Sequence, residues 1–107
     1  MLPISIFGGI MNQSGLLPSE PVSSTEDLGR RLRSYRKARG RTQVELAELS
    51  GSRARYLSEL ERGKDTAQIG KALEVLRLLG LDIYIVPRSL SAQVRRAIKE
   101  ANDARPG

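Results

Sequence analysis

A chain of 107 residues has room for one domain with tails, and 39% apolar but only 4% aromatic residues predict a small aliphatic core. The formal net charge of +6 favours a polyanionic partner, nucleic acid first and an anionic membrane surface second. Because the chain has neither Cys nor His, disulfides, zinc fingers, thiol nucleophiles and proton transfer by histidine are excluded.

Residues 1–22 predict a flexible N-terminal arm. Six Gly and Pro residues interrupt this segment and leave no room for a regular element of useful length. The opening lacks the basic start of a secretory signal, and no run approaches the roughly 18 apolar residues of a transmembrane helix. We therefore expect a cytoplasmic, nucleoid-associated protein without membrane contact. Translation from Met1 and translation from Met11 both stay open.

Residues 23–80 predict one helical domain. It begins with a capping box, Ser23-x-x-Glu26, for which the next two residues are alternative caps. Apolar residues then recur at i, i+4 and i+7 on the buried face of a first helix: Leu28, Leu32 and Tyr35. This helix is expected to run to about Arg39 and to end at Gly40.

The opposite face of this first helix is strongly basic. Its residues are Arg30, Arg31, Arg33, Arg36, Lys37 and Arg39. Like charges at i, i+4 repel each other, so a surface helix normally carries charges of both signs. The excess of positive charge on this face predicts that an external anion relieves the repulsion. We expect Arg30, Arg33 and Lys37 to contact a phosphate backbone.

Residues 42–64, TQVELAELSGSRARYLSELERGK, have the pattern of two short helices joined by a tight turn. The first begins with the capping box Thr42-x-x-Glu45. Its expected apolar side consists of Val44, Leu46, Ala47 and Leu49. Gly51 lies where the turn requires a positive φ, and Ser52 is expected to cap the second helix. In that helix the inward residues are Tyr56, Leu57 and Leu60, and the outward residues are Arg53, Ala54, Arg55 and Glu59.

This pattern is that of a DNA-binding helix-turn-helix, in which the second helix enters the major groove and the first crosses the backbone. Arg53 and Arg55 are expected in the first turn of the second helix, where an arginine can bond O6 and N7 of guanine. Two interpretations of Glu59 stay open. It accepts a hydrogen bond from a cytosine amino group, or it pairs with Arg55 within the helix.

Backbone contacts are expected around this unit. Gln43 lies at the start of the first short helix, where its amide and the free backbone N–H groups can hold a phosphate. The flanking residues with the same expected role are Arg41, Thr42, Ser52, Arg62 and Lys64. Taken singly, each charge has the simpler interpretation of a solvated surface residue. Together with the capping boxes and the turn glycine, these charges indicate DNA.

A further helix is expected to start after Asp65 or Thr66 and to end at Gly80. The apolar residues along one side of it are Ile69, Leu73, Leu76 and Leu79. Gly70 inside this helix costs roughly 1 kcal/mol against Ala, which predicts a close contact with another helix there.

Residues 81–87, LDIYIVP, change to the β-branched and aromatic composition of a strand that Pro87 ends. One strand alone is not stable in water, so we expect it to pair with the same strand of another protomer. The expected dimerisation residues are Leu81, Ile83, Tyr84, Ile85 and Val86. Residues 88–107 form a tail that is compatible with a helix capped by Ser89 or Ser91. Its narrow apolar stripe consists of Val94, Ala97, Ile98 and Ala101.

Residues 25–80 resemble the Xre/Cro family of helix-turn-helix domains. The matching residues are T-Q-x-E-L-A at 42–47, Gly51, and Y-L-S-x-L-E-R-G-K at 56–64. The resemblance implies a mostly α, lambda-repressor-like domain of four to five short helices, with one C-terminal β-strand that pairs across a dimer. It also implies that Gln43 contacts phosphate and that four residues face bases: Arg53, Ala54, Arg55 and Glu59. The sequence departs from the family at Ser52, where a buried Val or Ile is usual.

Residues 63–83 resemble the HipB-like antitoxins. This resemblance implies an operon partner, a HipA-like serine/threonine kinase toxin, and autorepression of that operon. Two-fold symmetry predicts a double-stranded operator with an inverted repeat, its half-sites about one helical turn apart. The alternatives are a transcriptional regulator unrelated to a toxin and a protein-interaction module of the same fold. No cofactor or metal site is expected. No catalytic site is expected either: without His or Cys a nucleophile would need Ser with Lys, or paired carboxylates, and Glu59 and Glu61 lie two residues apart on a helix and point in different directions.

Overall fold

The computed structural model describes residues 20–104, and within this range the chain forms five α-helices. They are α1 (Thr25–Ala38), α2 (Gln43–Leu49), α3 (Ala54–Glu61), α4 (Ile69–Leu78) and α5 (Ser91–Asp103), and a 3-10 turn at Arg88–Leu90 precedes α5. Most of the predicted arm, residues 1–19, lies outside the described residues. Residues 20–104 contain no strand. The strand at 81–87 stays a prediction, because its expected partner belongs to a second protomer.

The first four helices enclose one core. Its buried members are Leu32, Tyr35, Leu46, Ala47, Leu57, Leu60, Ala72, Val75, Leu76 and Leu79. Apart from one tyrosine these side chains are aliphatic, as the composition predicted. Since α3 supplies the fully buried Leu57 and packs against both α1 and α2, the core holds the helix-turn-helix rigidly by its apolar side.

Four apolar residues predicted to face inward are exposed instead: Val44, Leu49, Ile69 and Leu73. On α2, which has only seven residues, Leu46 and Ala47 alone reach the core. Helix α4 begins at Ile69, later than predicted, and buries Ala72, Val75 and Leu76. Two overlapping apolar stripes run along α4, and packing against the other helices, not periodicity, selects the one that is buried.

The caps were predicted well where the signal is local. Thr42 and Glu45 form the expected capping box: the Glu45 N–H donates to Thr42 Oγ1 at 3.1 Å, and the Thr42 N–H donates to Glu45 Oε1 at 3.0 Å. For α1 the sequence left Ser23, Ser24 and Thr25 open as caps, and the structure selects the second of them. Ser24, not Ser23, caps α1 and accepts from the Asp27 N–H at 3.0 Å.

The close helix contact lies at a different glycine from the one predicted. A Cβ on Gly70 would meet open space, so that prediction is wrong. A Cβ on Gly29, in α1, would lie 2.5 Å from the carbonyl oxygen of Glu61 and 2.6 Å from that of Leu60. Glycine is therefore required where α1 crosses the C-terminal end of α3.

A buried ion pair ties α1 to α3. Arg36 was predicted on the exposed basic face, but its side chain is only 9% exposed and meets the 3% exposed side chain of Glu61. Arg36 donates from Nε to Glu61 Oε2 at 2.6 Å and from Nη2 to Oε1 at 3.0 Å. Its Nη1 donates to the carbonyl oxygen of Arg41 at 2.7 Å. This guanidinium therefore connects both helices to the loop that leads into α2.

The tail forms helix α5, although the caps predicted for it are wrong. Leu90 is the N-cap residue and makes no side-chain capping bond. No residue of α5 is buried, and Arg95 pairs with Glu20 at 3.1 Å, next to the start of α1. No helix among residues 20–104 has the length and apolar character needed to cross a membrane.

Candidate nucleic-acid interface

The turn between α2 and α3 is tight and left-handed at Gly51, with φ of 68° as predicted. The Ser52 N–H donates to the carbonyl oxygen of Ala47 at 2.9 Å, which closes the turn. Ser52 does not cap α3: Arg53 is the N-cap residue, without a side-chain bond. Instead, the Ser52 and Ser50 hydroxyls lie 2.6 Å apart. This hydroxyl pair explains how the turn accommodates a polar residue where the resembling family has Val or Ile.

The outward face of α3 begins at this turn. Arg53 immediately precedes the helix and is exposed, and Ala54 is half-buried. Arg55 projects into solvent, with a side chain that is 88% exposed. The structure therefore brings two arginines to the N-terminal end of α3, the end at which a recognition helix reaches base edges.

Glu59 lies one turn further along α3, and both of its oxygens are occupied. Arg55 Nε donates to Oε1 at 2.8 Å, and Lys64 Nζ donates to Oε2 at 2.5 Å. Both hydrogen bonds lower the pKa of the Glu59 carboxyl, and the bond from Lys64 has the larger effect. Glu59 is thus an ionised partner of Arg55 in the free protein, which is one of the two interpretations left open by the sequence.

Gln43 is held in place at the start of α2. Its amide Nε2 donates to Glu61 Oε1 at 3.0 Å, the same oxygen that accepts from Arg36 Nη2. The Glu45 carboxylate accepts from the backbone N–H of Thr42, which lowers the pKa of Glu45. Glu61 fixes the amide nitrogen of Gln43, and the Glu45 N–H is bonded to Thr42. Within the described residues, the free polar groups at this end are therefore the Gln43 amide oxygen and the backbone N–H groups of Gln43 and Val44.

An open cleft of about 700 Å³ lies between α1, the start of α2 and the end of α3. It brings together five of the residues predicted to contact phosphate: Arg33, Arg41, Thr42, Gln43 and Arg62. Among residues 20–104, Arg33 and Arg62 have no acidic partner. A cleft with uncompensated cations at a helix N-terminus has the chemistry of a phosphate site.

Arg30 and Lys37 lie outside this cleft. Arg30 pairs with Asp27 at 3.5 Å, and Asp27 also accepts from Arg31. The latter bond is the main reason that the pKa of Asp27 is lowered. For this part of α1 the repulsion that predicted an external anion is therefore relieved within the protein, by Asp27. Lys37 is exposed and, within the described residues, forms no ion pair.

The residues predicted for dimerisation fall into two groups. Leu81 packs against the core of its own protomer, and its N–H donates to the Leu76 carbonyl at 2.9 Å. The next four apolar residues are exposed, most strongly at the centre of the segment: Ile83, Tyr84, Ile85 and Val86. They form an uncovered apolar strip directly after the helical domain.

Glu61 is the residue of the site that the sequence interpretation missed. A signal was present: Arg36 follows Leu28 and Leu32 at successive steps of four, and Glu61 follows Leu57 by four. Both charges therefore fall on apolar helix faces, where an ion can be buried only with a partner.

Comparisons with known proteins agree with this geometry. The family model described as Helix-turn-helix, HTH_3, matches residues 32–86, about half of the chain. A protein from Sinorhizobium fredii (strain NBRC 101917 / NGR234), named uncharacterized HTH-type transcriptional regulator y4mF, is 43% identical over 65 residues. The aligned region covers 61% of this chain and 86% of that relative.

A second relative from the same organism, named uncharacterized HTH-type transcriptional regulator y4dL, is 32% identical over 78 residues. This alignment covers 73% of the chain but only 40% of the longer relative. No solved structure shows significant similarity to the chain. The family match, the two relatives and the α2–turn–α3 geometry lead to one conclusion: the chain belongs to the helix-turn-helix family of DNA-binding transcription regulators, which are generally non-enzymatic.

Proposed function

We propose that the protein is a dimeric, sequence-specific repressor that acts on DNA in the cytoplasm, associated with the nucleoid. The observation that carries the proposal is the exposed Arg55 side chain at the start of α3, together with the cation-lined cleft formed by the start of α2. An arginine at this end of a recognition helix can bond a guanine, while the cleft binds the adjacent phosphates.

In this proposal the contacts divide by role. The base-facing residues are Arg53, Ala54, Arg55 and Glu59 on α3. The residues assigned to the backbone are Arg30, Arg33, Lys37, Arg41, Thr42, Gln43, Ser52, Arg62 and Lys64. Backbone contacts set the register of the protein on the duplex, and base contacts set its sequence preference.

Dimerisation is proposed through residues 81–87 of two protomers. Tyr84 and Ile85 are 84% and 94% exposed, and a strand paired with its own copy would cover this apolar strip. A two-fold dimer places two α3 helices on one side of the duplex, so the operator is expected to be an inverted repeat.

We further propose an antitoxin role, with a HipA-like serine/threonine kinase toxin as the partner and autorepression of the shared operon. The support is the resemblance of residues 63–83 to HipB-like antitoxins. Co-expression with the kinase-like protein of the neighbouring reading frame should yield a stable complex and relieve growth inhibition. A neighbouring frame without kinase character, or a kinase that this protein neither binds nor neutralises, contradicts the antitoxin role and leaves DNA repression standing.

The DNA-binding proposal is tested by selecting duplexes from a random library with the full-length protein and titrating the selected duplex against salt. Arg55→Ala should relax the preference for one base pair, by about tenfold or more. Arg33→Ala should weaken binding to all duplexes and reduce the salt slope by about 0.9 for each phosphate that the variant no longer neutralises. Arg77→Ala is the matched control, since it removes an exposed arginine of α4.

If the wild type enriches no sequence, the repressor proposal is refuted. Equal losses of affinity for Arg33→Ala and Arg77→Ala would show that overall charge, not the cleft, binds the backbone.

The dimer is tested separately by sedimentation. Tyr84→Asp combined with Ile85→Asp should convert a concentration-dependent dimer into a monomer whose circular dichroism spectrum is still helical. An unchanged dimer refutes pairing through residues 81–87.

A further inference from the structure

The guanidinium of Arg55 is held from one side only. Its Nε donates to Glu59 Oε1 at 2.8 Å, across one turn of α3. The two terminal amines, Nη1 and Nη2, form no hydrogen bond within the described residues, and the side chain is 88% exposed. The guanidinium is thus oriented through Nε, while Nη1 and Nη2 are accessible to a ligand.

Glu59 is recessed where Arg55 projects. The Glu59 side chain is only 18% exposed, and its second oxygen accepts from Lys64 Nζ. Lys64 follows Gly63, whose φ of 87° turns the chain sharply after α3. The carboxylate is therefore clamped between two cations, one on the helix and one beyond its end.

We propose that Glu59 is a positioning residue for Arg55 and does not itself contact a base. With Nε occupied by Glu59, Arg55 presents Nη1 and Nη2 end-on to O6 and N7 of one guanine. This assignment rests on the proposed function, in which α3 enters the major groove. Of these two residues, only Arg55 then contacts a base, and Glu59 acts through Arg55.

The physical reason is pre-organisation. A free arginine has several flexible torsions, and ordering it on DNA costs conformational entropy. A bond to Glu59 orders the guanidinium before DNA arrives and restricts it to one bidentate geometry. Lys64 offsets the negative charge that a carboxylate would otherwise bring close to the phosphates.

The alternative is that Glu59 accepts a hydrogen bond from a cytosine amino group. The two roles differ in which base pair responds to substitution. If Glu59 positions Arg55, its substitution changes the base preference only at the base pair that Arg55 contacts. If Glu59 contacts a cytosine, its substitution changes the base preference at a second base pair, whether or not Arg55 is present.

The test uses the full-length protein and the duplex that the wild type selects from a random library. Binding to that duplex and to every single-base-pair variant is measured by fluorescence anisotropy at one salt concentration. The protein variants are Arg55→Ala, Glu59→Ala, Glu59→Gln and the double Arg55→Ala/Glu59→Ala. Glu74→Ala is the matched control, because it breaks an exposed Glu–Arg pair of the same kind on α4. Thermal unfolding verifies that each variant is folded.

Glu59→Ala should reduce discrimination about three- to tenfold at the same base pair that Arg55→Ala affects. The double variant should discriminate no worse than Arg55→Ala alone. Glu59→Gln retains an oxygen that accepts from Arg55 Nε, so it should preserve most of the preference. Glu74→Ala should change none of these ratios.

Two outcomes overturn the inference. In one, Glu59→Ala affects a different base pair; in the other, the effects of the two single variants multiply in the double variant. Both leave the repressor proposal intact, because the wild type still selects a sequence. A wild type that selects none refutes the repressor proposal, and this inference fails with it.

Discussion

Removing the Glu61 carboxylate is expected to destabilise the domain more than any change on its surface. In Glu61→Gln the guanidinium of Arg36 stays buried but loses a bidentate ionic partner, with bonds of 2.6 and 3.0 Å. Breaking a buried ion pair from one side costs about 3–5 kcal/mol. Small domains have about 5–15 kcal/mol of stability in total, so this loss is a large fraction.

The assay is thermal unfolding followed by circular dichroism, at one fixed protein concentration because a dimer makes Tm concentration-dependent. At about 4–8 °C per kcal/mol for a domain of this size, Glu61→Gln should lower Tm by at least about 12 °C. Arg36→Met combined with Glu61→Leu should recover most of that loss, since an apolar pair needs no charge compensation. The exposed pair gives the control: Glu74→Gln should leave Tm nearly unchanged.

A decrease in Tm below about 4 °C for Glu61→Gln would refute the reasoning. It would mean that the pair contributes no more than an exposed ion pair, about 1 kcal/mol or less, and that Arg36 is hydrated in solution. A double variant that is as unstable as Glu61→Gln would contradict charge burial as the cause. The packing of α1 on α3 would then be the affected property.

Three further predictions concern the fold. Gly29→Ala places a Cβ 2.5 Å from the Glu61 carbonyl oxygen, a backbone atom that cannot move aside as a flexible side chain would. The cost is therefore expected in the upper part of the overpacking range of about 1–3 kcal/mol, above the roughly 1 kcal/mol gained in helix propensity, and urea unfolding should show a net loss of stability. Leu57→Ala empties the centre of the core, where the side chain is 0% exposed, and should cost about 2–5 kcal/mol in the same assay. The pKa of Glu45 is lowered by the Thr42 N–H, so its stabilising effect is present above the ordinary glutamate range and is lost as the pH falls through the lowered value. The Tm difference between wild type and Glu45→Gln should therefore be present at pH 7 and disappear in acid; a difference that persists at about pH 2 contradicts this origin.

Local sequence signals determined the helix-turn-helix. The Thr42–Glu45 capping box and the positive φ at Gly51 were both predicted correctly, because each depends on bonds or torsions within about three residues. Helical periodicity placed Leu57 and Leu60 in the core for the same reason. The cap of α1 was narrowed only to Ser23, Ser24 or Thr25, since neighbouring hydroxyls are nearly equivalent in the sequence, and the structure selects Ser24.

Tertiary structure decided everything that depends on which helix faces meet. The sequence shows Arg36 and Glu61 as two charges separated by 25 positions, and only packing brings them together as a buried pair. The same holds for Gly29, whose missing Cβ matters because α3 crosses it, while Gly70 meets open space. Periodicity states that a helix has an apolar side but not which of two overlapping stripes is covered. That choice belongs to long-range contacts, because they alone determine which surface is removed from water.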